Sequence, residues 1–402
     1  MYCCRGGKQL KTLVRFNPQG LDANNLIIIF QKRESMQEDM HYYGTYAMAR
    51  AAGLEVKHAK VIAYAAQYVD DSTANDSEQH EDGGMFETTA TAHTNTEAIA
   101  NAVADYAEQR KVWVPFHFFP GGEGTSLSEK LKCVKDSPLA QAMVKNHTRH
   151  AVAVKDGYGL ALMGVMAHVY ADTFSHYGFS GVSSRENEVD GQSFELDVKN
   201  KKVKAYIMGK FTGFLSKYAP KFLIKNYRNI VSKGVSVATG ALGHGAVGTY
   251  PDRPFLRWKF TYIKDNKTSE WRNNNETFLE GCEKIHQAFS EYAQQANISI
   301  NPVEFNDIKE KVNTILAIEA GKEGRIEAWK KAINEGDLFE KSDNEALEYS
   351  PHYWEEQTHD FEDLKNSHEM IDRDVYKFHQ AAIYHRNYTL KQLLPSHNIM
   401  VL

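Results

Sequence analysis

His168, Asp172 and His176 recur every four residues in the run Ala167-His168-Val169-Tyr170-Ala171-Asp172-Thr173-Phe174-Ser175-His176. On a helix this spacing turns the side chain through only about 80° of arc while climbing about 12 Å, so all three share one face. One ion cannot take both end histidines. Two ions roughly 3.5–4 Å apart can share Asp172, with His168 on one and His176 on the other. The bland alternative is hydrogen-bonded packing. Leu160, Leu162, Met163, Val165, Met166, Val169 and Phe174 leave the helix almost no polar face, and unpaired polar groups buried there are costly.

Further ligands are offered elsewhere. Asp39 and His41 lie two apart at the start of a patterned segment, where they converge if the backbone is not yet helical. Asp70-Asp71 closes a second apolar pattern. His117 is wrapped by aromatics in Pro115-Phe116-His117-Phe118-Phe119-Pro120. His244 sits between Gly243 and Gly245, and Asp252 between Pro251 and Arg253. Each has an ordinary reading as a cap, a terminator or a core histidine. Together they form the imidazole and carboxylate set of a two-metal zinc or manganese hydrolase. His93, His147 and His150 stand in polar surroundings and are expected in solvent. His359-Asp360, in an acidic stretch, is read as a chance pair.

No nucleophile elbow of the G-x-S-x-G type and no phosphate loop is present; Gly121-Gly122-Glu123-Gly124 lacks the lysine. Metal-bound hydroxide is therefore the economical nucleophile. Arg253, or a lysine from 199–233, is placed to neutralise a phosphate.

The elements that must hold these residues read as helices. Residues 42–52 end at Gly53, and Val56–Val69 resumes a 3.6-residue pattern that stops at Asp70-Asp71-Ser72. Residues 72–95 read as a long polar loop, 112–119 as an extended aromatic segment, and 158–177 as the central helix. Patterns over 276–296, 306–333 and 374–394 complete a mainly α fold, a multi-helix bundle with long loops and insertions. Residues 1–35 read as an appended arm with six basic residues. A metal-site domain follows over 36–300, and helices of 301–402 pack on it.

Composition narrows the classes. The 402 residues are 42% hydrophobic and 25% charged, with a net charge of -5 and four cysteines in no metal spacing. A collagen, a disulfide miniprotein and a disordered chain are excluded. No apolar run reaches the roughly 18–20 residues of a membrane span, and Leu26–Phe30 is short for a signal-peptide core. The expectation is a cytoplasmic protein, or one exported without a cleavable signal. Residues 335–374 hold 14 acidic side chains against three basic.

Residues 199–233 reverse that balance, with ten basic side chains and no acidic one, interleaved with Phe211, Phe214, Leu215, Tyr218, Phe222, Leu223 and Ile224. Such a segment suits an anionic membrane surface or a nucleic-acid backbone, and its apolar residues favour lipid.

Asp39-Met40-His41-Tyr42-Tyr43, Gln67-Tyr68-Val69-Asp70-Asp71, Phe116-His117-Phe118-Phe119-Pro120-Gly121, the His168 run with Phe179, and Gly243-His244 with Pro251-Asp252 resemble an uncharacterised bacterial domain family of unknown function, over about 36–300. More distantly, the order of ligand types resembles the zinc-dependent phospholipase C and single-strand nuclease superfamily, whose members are all-helical. That resemblance implies His41, Asp70 or Asp71, His117, His168, Asp172, His176, His244 and Asp252 as metal ligands. The superfamily's N-terminal Trp ligand has no counterpart, and Asp39 is its substitute. The shorter Asp172–His176 spacing and the longer His244–Asp252 spacing imply one or two ions rather than three.

The expected function is a metal-dependent hydrolase, a phosphodiesterase acting on a phospholipid, with Asp172, Asp39 and Arg253 taking part in the reaction. The alternatives are a single-strand nuclease of the same architecture, a non-catalytic metal-stabilised binding protein, and a delivered effector.

Overall fold

The computed structural model describes residues 38–93, 109–218, 243, 247–342 and 346–401, with backbone alone for 210–218. The arm of residues 1–35, His244 and residues 219–233 of the basic segment lie outside the described residues. Met36–Leu402 forms one compact unit.

The architecture is mainly α. A π-helical turn, Asp39–Gly44, runs directly into α1 (Thr45–Ala51), and α2 spans Val56–Asp71. Then come α3 (Pro138–Ala153), α4 (Gly159–His176), α5 (Lys201–Tyr218), α6 (Asn274–Gln295), α7 (Phe305–Leu316), α8 (Lys322–Glu335), α9 (His352–His359) and α10 (Asp374–Tyr388). The pattern over 306–333 is thus two helices, divided around Gly321, which sits at the N-terminus of α8.

Helix α4 is the axis. Within it only Leu160 and Ala171 escape full burial, and α2, α3, α6 and α10 all pack against it. A helix apolar on every side finds its lowest free energy enclosed by others. One large core runs from Met40 to Val401 and includes residues of α7, α8 and α10.

Small residues set how closely α2 and α4 approach. A Cβ on Gly164 would lie 2.4 Å from the Ile62 carbonyl oxygen and 2.6 Å from the Ala65 Cβ. Glycine there brings the two backbones together one turn before His168. The other end of α4 is closed by Gly178 at φ +87° and by Arg272, which donates to the carbonyls of Ser175 and Tyr177, both at 2.7 Å. A buried guanidinium satisfies carbonyls that a helix terminus leaves open, and its charge suits that end of the dipole.

Two expected segments differ. The aromatic stretch 112–119 is not extended: a π-helical turn, Gln109–Trp113, leads into the helical turn Val114–Phe116. Pro115 sits at the start of that turn, where its missing N–H costs nothing. The polar loop 72–95 contains a small hairpin, β1 (Ser77–Gln79) paired antiparallel with β2 (Met85–Glu87). A three-stranded antiparallel sheet, β3 (Glu195–Asp197), β4 (Arg257–Lys259) and β5 (Arg272–Asn273), carries a second apolar cluster built on Trp258, Phe260 and Phe179.

Candidate metal centre

Three imidazoles are oriented by backbone carbonyls. His168 Nδ1 donates to the Ala66 carbonyl at 2.8 Å, His117 Nε2 to that of Thr91 at 2.8 Å, and His176 Nδ1 to that of His117 at 2.7 Å. A carbonyl can only accept, so these nitrogens carry the protons. In a neutral ring the opposite nitrogen then presents a lone pair, as at His168 and His117; on His176 that nitrogen faces the Asp252 carboxylate instead. Carbonyl partners of this kind fix the tautomer of ligand histidines.

The lone pairs of His168 and His117 point at each other and at a carboxylate. His168 Nε2 lies 3.3 Å from His117 Nδ1, and each lies 3.4 Å from Asp172 Oδ2. Asp70 Oδ1 stands 3.9 Å from both nitrogens. Asp172 Oδ1 faces His41 Nε2 at 3.3 Å, and the His41 ring stacks on His168 with centroids 3.9 Å apart. Both oxygens of Asp172 are buried and, among the described residues, accept no hydrogen bond of normal geometry. Electron pairs directed into one buried point repel unless a cation stands there.

The spacing suits such a cation. Bonds of about 2.0–2.1 Å in a tetrahedron give ligand–ligand edges of about 3.3–3.4 Å. The triangle His117 Nδ1, His168 Nε2, Asp172 Oδ2 has those edges. His41, His168 and Asp172, and Asp70, His117 and His168, are two groups of side chains that could hold a metal ion.

His176 turns its other nitrogen to Asp252, with Nε2 3.1 Å from Oδ1, and its Nδ1 is 3.5 Å from Asp172 Oδ2. Phe118 stacks on the ring at 4.9 Å. Burial disfavours charge on His176, but Asp172 and Asp252 more than offset it and raise its pKa to about 9. Burial likewise opposes ionisation of Asp172. His176, His168 and His117 outweigh it and hold that carboxyl well below the usual range. Burial, with His41 beside it, lowers the His168 pKa to about 3. Asp70 is pushed well above the usual carboxylate range by burial.

Five chain segments thus meet: the π-helical turn (His41), the end of α2 (Asp70), the turn after Phe116 (His117), α4 (His168, Asp172, His176) and the loop before β4 (Asp252). Of the two carboxylates at 70–71, Asp70 is the one that stands with His117 and His168. Asp71 instead receives the Tyr349 hydroxyl at 2.7 Å and Gln67 Nε2 at 3.3 Å. Asp39 also goes elsewhere: Arg325 of α8 holds it through Nε at 2.6 Å and Nη2 at 2.9 Å. Its carboxylate is occupied by a guanidinium, not by the ligand group. Arg253 is buried, with Nη2 donating to Thr249 Oγ1 at 3.0 Å and Nε without an acceptor among the described residues.

One expectation about solvent is reversed. His147 is fully buried and meets His385 of α10, with Nε2 2.9 Å from Nδ1. His385 Nε2 donates in turn to the Pro115 carbonyl at 2.8 Å, bracing the turn that carries His117. Polar neighbours in sequence misled because α3 turns His147 toward α10 while leaving Gln141 and Arg149 in solvent. Arg325, Arg272, Tyr349 and His385 were not expected around the site, and no local motif marks them. His359 and Asp360 are exposed.

No curated protein and no solved structure matches the chain. The model of a family of unknown function (DUF6765) matches residues 36–393, and the chain belongs to that family.

Proposed function

We propose that this protein is a metal-dependent hydrolase of phosphodiesters, with zinc as the ion and manganese as the alternative. The observation that carries the reading is the triangle of His117 Nδ1, His168 Nε2 and Asp172 Oδ2 with edges of 3.3–3.4 Å, whose buried carboxylate accepts no hydrogen bond of normal geometry among the described residues. The all-nitrogen-and-oxygen donor set fits a borderline divalent ion.

A bound divalent ion supplies water of lowered pKa and positive charge for a developing oxyanion. The chain's own residues do the remainder. Asp172 offers one oxygen to the His117–His168 side and the other to His41, so it can join two sub-sites. Asp252 holds His176 beside them. Arg253, with an unsatisfied Nε in a buried setting, is the group that neutralises the phosphate. Its immobilised guanidinium costs no reorganisation when charge builds up.

The test is elemental analysis of the purified protein together with hydrolysis of bis-p-nitrophenyl phosphate. His168→Ala and Asp172→Asn lose metal and activity together. Arg253→Gln keeps the metal and loses rate by about 10²-fold, the cost of one oxyanion-binding donor. Full metal content in Asp172→Asn sinks the site, and a metal-loaded protein inert on every diester sinks the hydrolase.

A further inference from the structure

We infer that α5 is a docking helix for an anionic lipid surface and that it sets that surface beside Arg253, the neighbour of Asp252 in the metal centre. Over residues 199–218 the chain carries Lys199, Lys201, Lys202, Lys204, Lys210 and Lys217 and no acidic residue. This is a local reversal in a protein of net charge -5. Lys199, Lys201 and Lys202 are exposed, and Tyr206 and Met208 are 40% and 48% exposed. The helix is fastened from below: Ile207 is buried in the second apolar cluster, with Val203 packed against it. Its start is held by Glu319, whose carboxylate accepts from the backbone N–H groups of Lys199 and Asn200 at 3.0 and 2.6 Å.

A fixed helix that shows lysines beside an aromatic ring and a thioether has the chemistry of an interfacial anchor. Lysines meet lipid phosphates while the apolar side chains enter the acyl boundary. Net negative charge elsewhere opposes general adhesion to anionic surfaces and leaves this patch to set the orientation. Tyr206 ties the patch to the site, because the Arg253 guanidinium lies over its ring at 5.6 Å and Arg253 follows Asp252 directly. A membrane held by α5 is therefore one aromatic ring away from Arg253, the arginine proposed to neutralise the phosphate. Docking stands independently of the chemistry; a phospholipid as substrate rests on the hydrolase reading.

The experiment is co-sedimentation of the full chain with vesicles of phosphatidylcholine alone and of phosphatidylcholine mixed with phosphatidylserine. Binding is expected to the mixed vesicles only, weakening as salt rises. The double variant Lys201→Gln/Lys202→Gln, both at exposed positions, should bind about 30-fold more weakly with unchanged metal content. Equal binding to both vesicles, no binding, or an unaffected double variant overturns the proposal. So does tighter binding to a single-stranded oligonucleotide than to the mixed vesicles, which assigns the patch to nucleic acid. Hydrolysis of soluble bis-p-nitrophenyl phosphate is read separately: vesicle binding without it rejects the hydrolase and leaves the docking helix standing.

Discussion

Arg325 and Asp39 form a bidentate ion pair, with both side chains almost wholly buried and the contacts at 2.6 and 2.9 Å. The pair joins α8 to the π-helical turn that presents His41, two residues from Asp39. Removing one partner of such a pair strands a buried charge and costs about 3–5 kcal/mol. Asp39→Ala and Arg325→Ala should each lower unfolding stability by that order, and the double variant should be less destabilised than either. A denaturant-unfolding double-mutant cycle reads this coupling. Additive losses would mean that the two side chains are not coupled.

Gly164 controls the distance between α2 and α4. Its substitution by alanine places a methyl 2.4 Å from the Ile62 carbonyl oxygen, so the helices must part. The expected cost is about 1–3 kcal/mol of stability. Metal affinity should fall as well, since the His168–Ala66 hydrogen bond spans the same interface. Calorimetric metal titration of Gly164→Ala beside the native protein checks it.

His385 supplies a pH dependence. Burial lowers its pKa to about 4, against 6.5 for an ordinary histidine. The unfolded chain then binds the extra proton between those values, so unfolding stability rises with pH across that window. The contribution is complete above about pH 6.5 and is lost as pH falls toward 4. His385→Gln should flatten that part of the stability–pH curve, measured by urea unfolding at a series of pH values.

The same residue tests the bracing of His117. Because His385 holds the Pro115 carbonyl, His385→Ala should weaken metal binding about 10-fold or more without touching a ligand, as loss of outer partners does. Exposed His359→Ala serves as the control and should leave affinity unchanged.

Metal should also stabilise the fold, because ligands from five segments are gathered only in the native state. At a free concentration one hundred times the dissociation constant the gain is about 2.7 kcal/mol. Thermal unfolding with zinc and with chelator reads it; no shift would mean the centre holds no ion.

The sequence by itself determined the helical class and the central helix. Both follow from periodicity, and the i, i+4, i+8 placement of His168, Asp172 and His176 on one face is a property of local geometry. Isolated polar residues in apolar settings, such as His117, were legible because burying a polar group is costly unless it finds a partner. Tertiary structure alone placed Asp70 with the imidazoles and turned Asp71 to Tyr349, 278 residues away. It likewise decided that Asp39 meets Arg325 and that His147 is buried against His385. Those outcomes depend on which distant helix arrives at a given face, and a one-dimensional pattern records the face but not the neighbour that covers it.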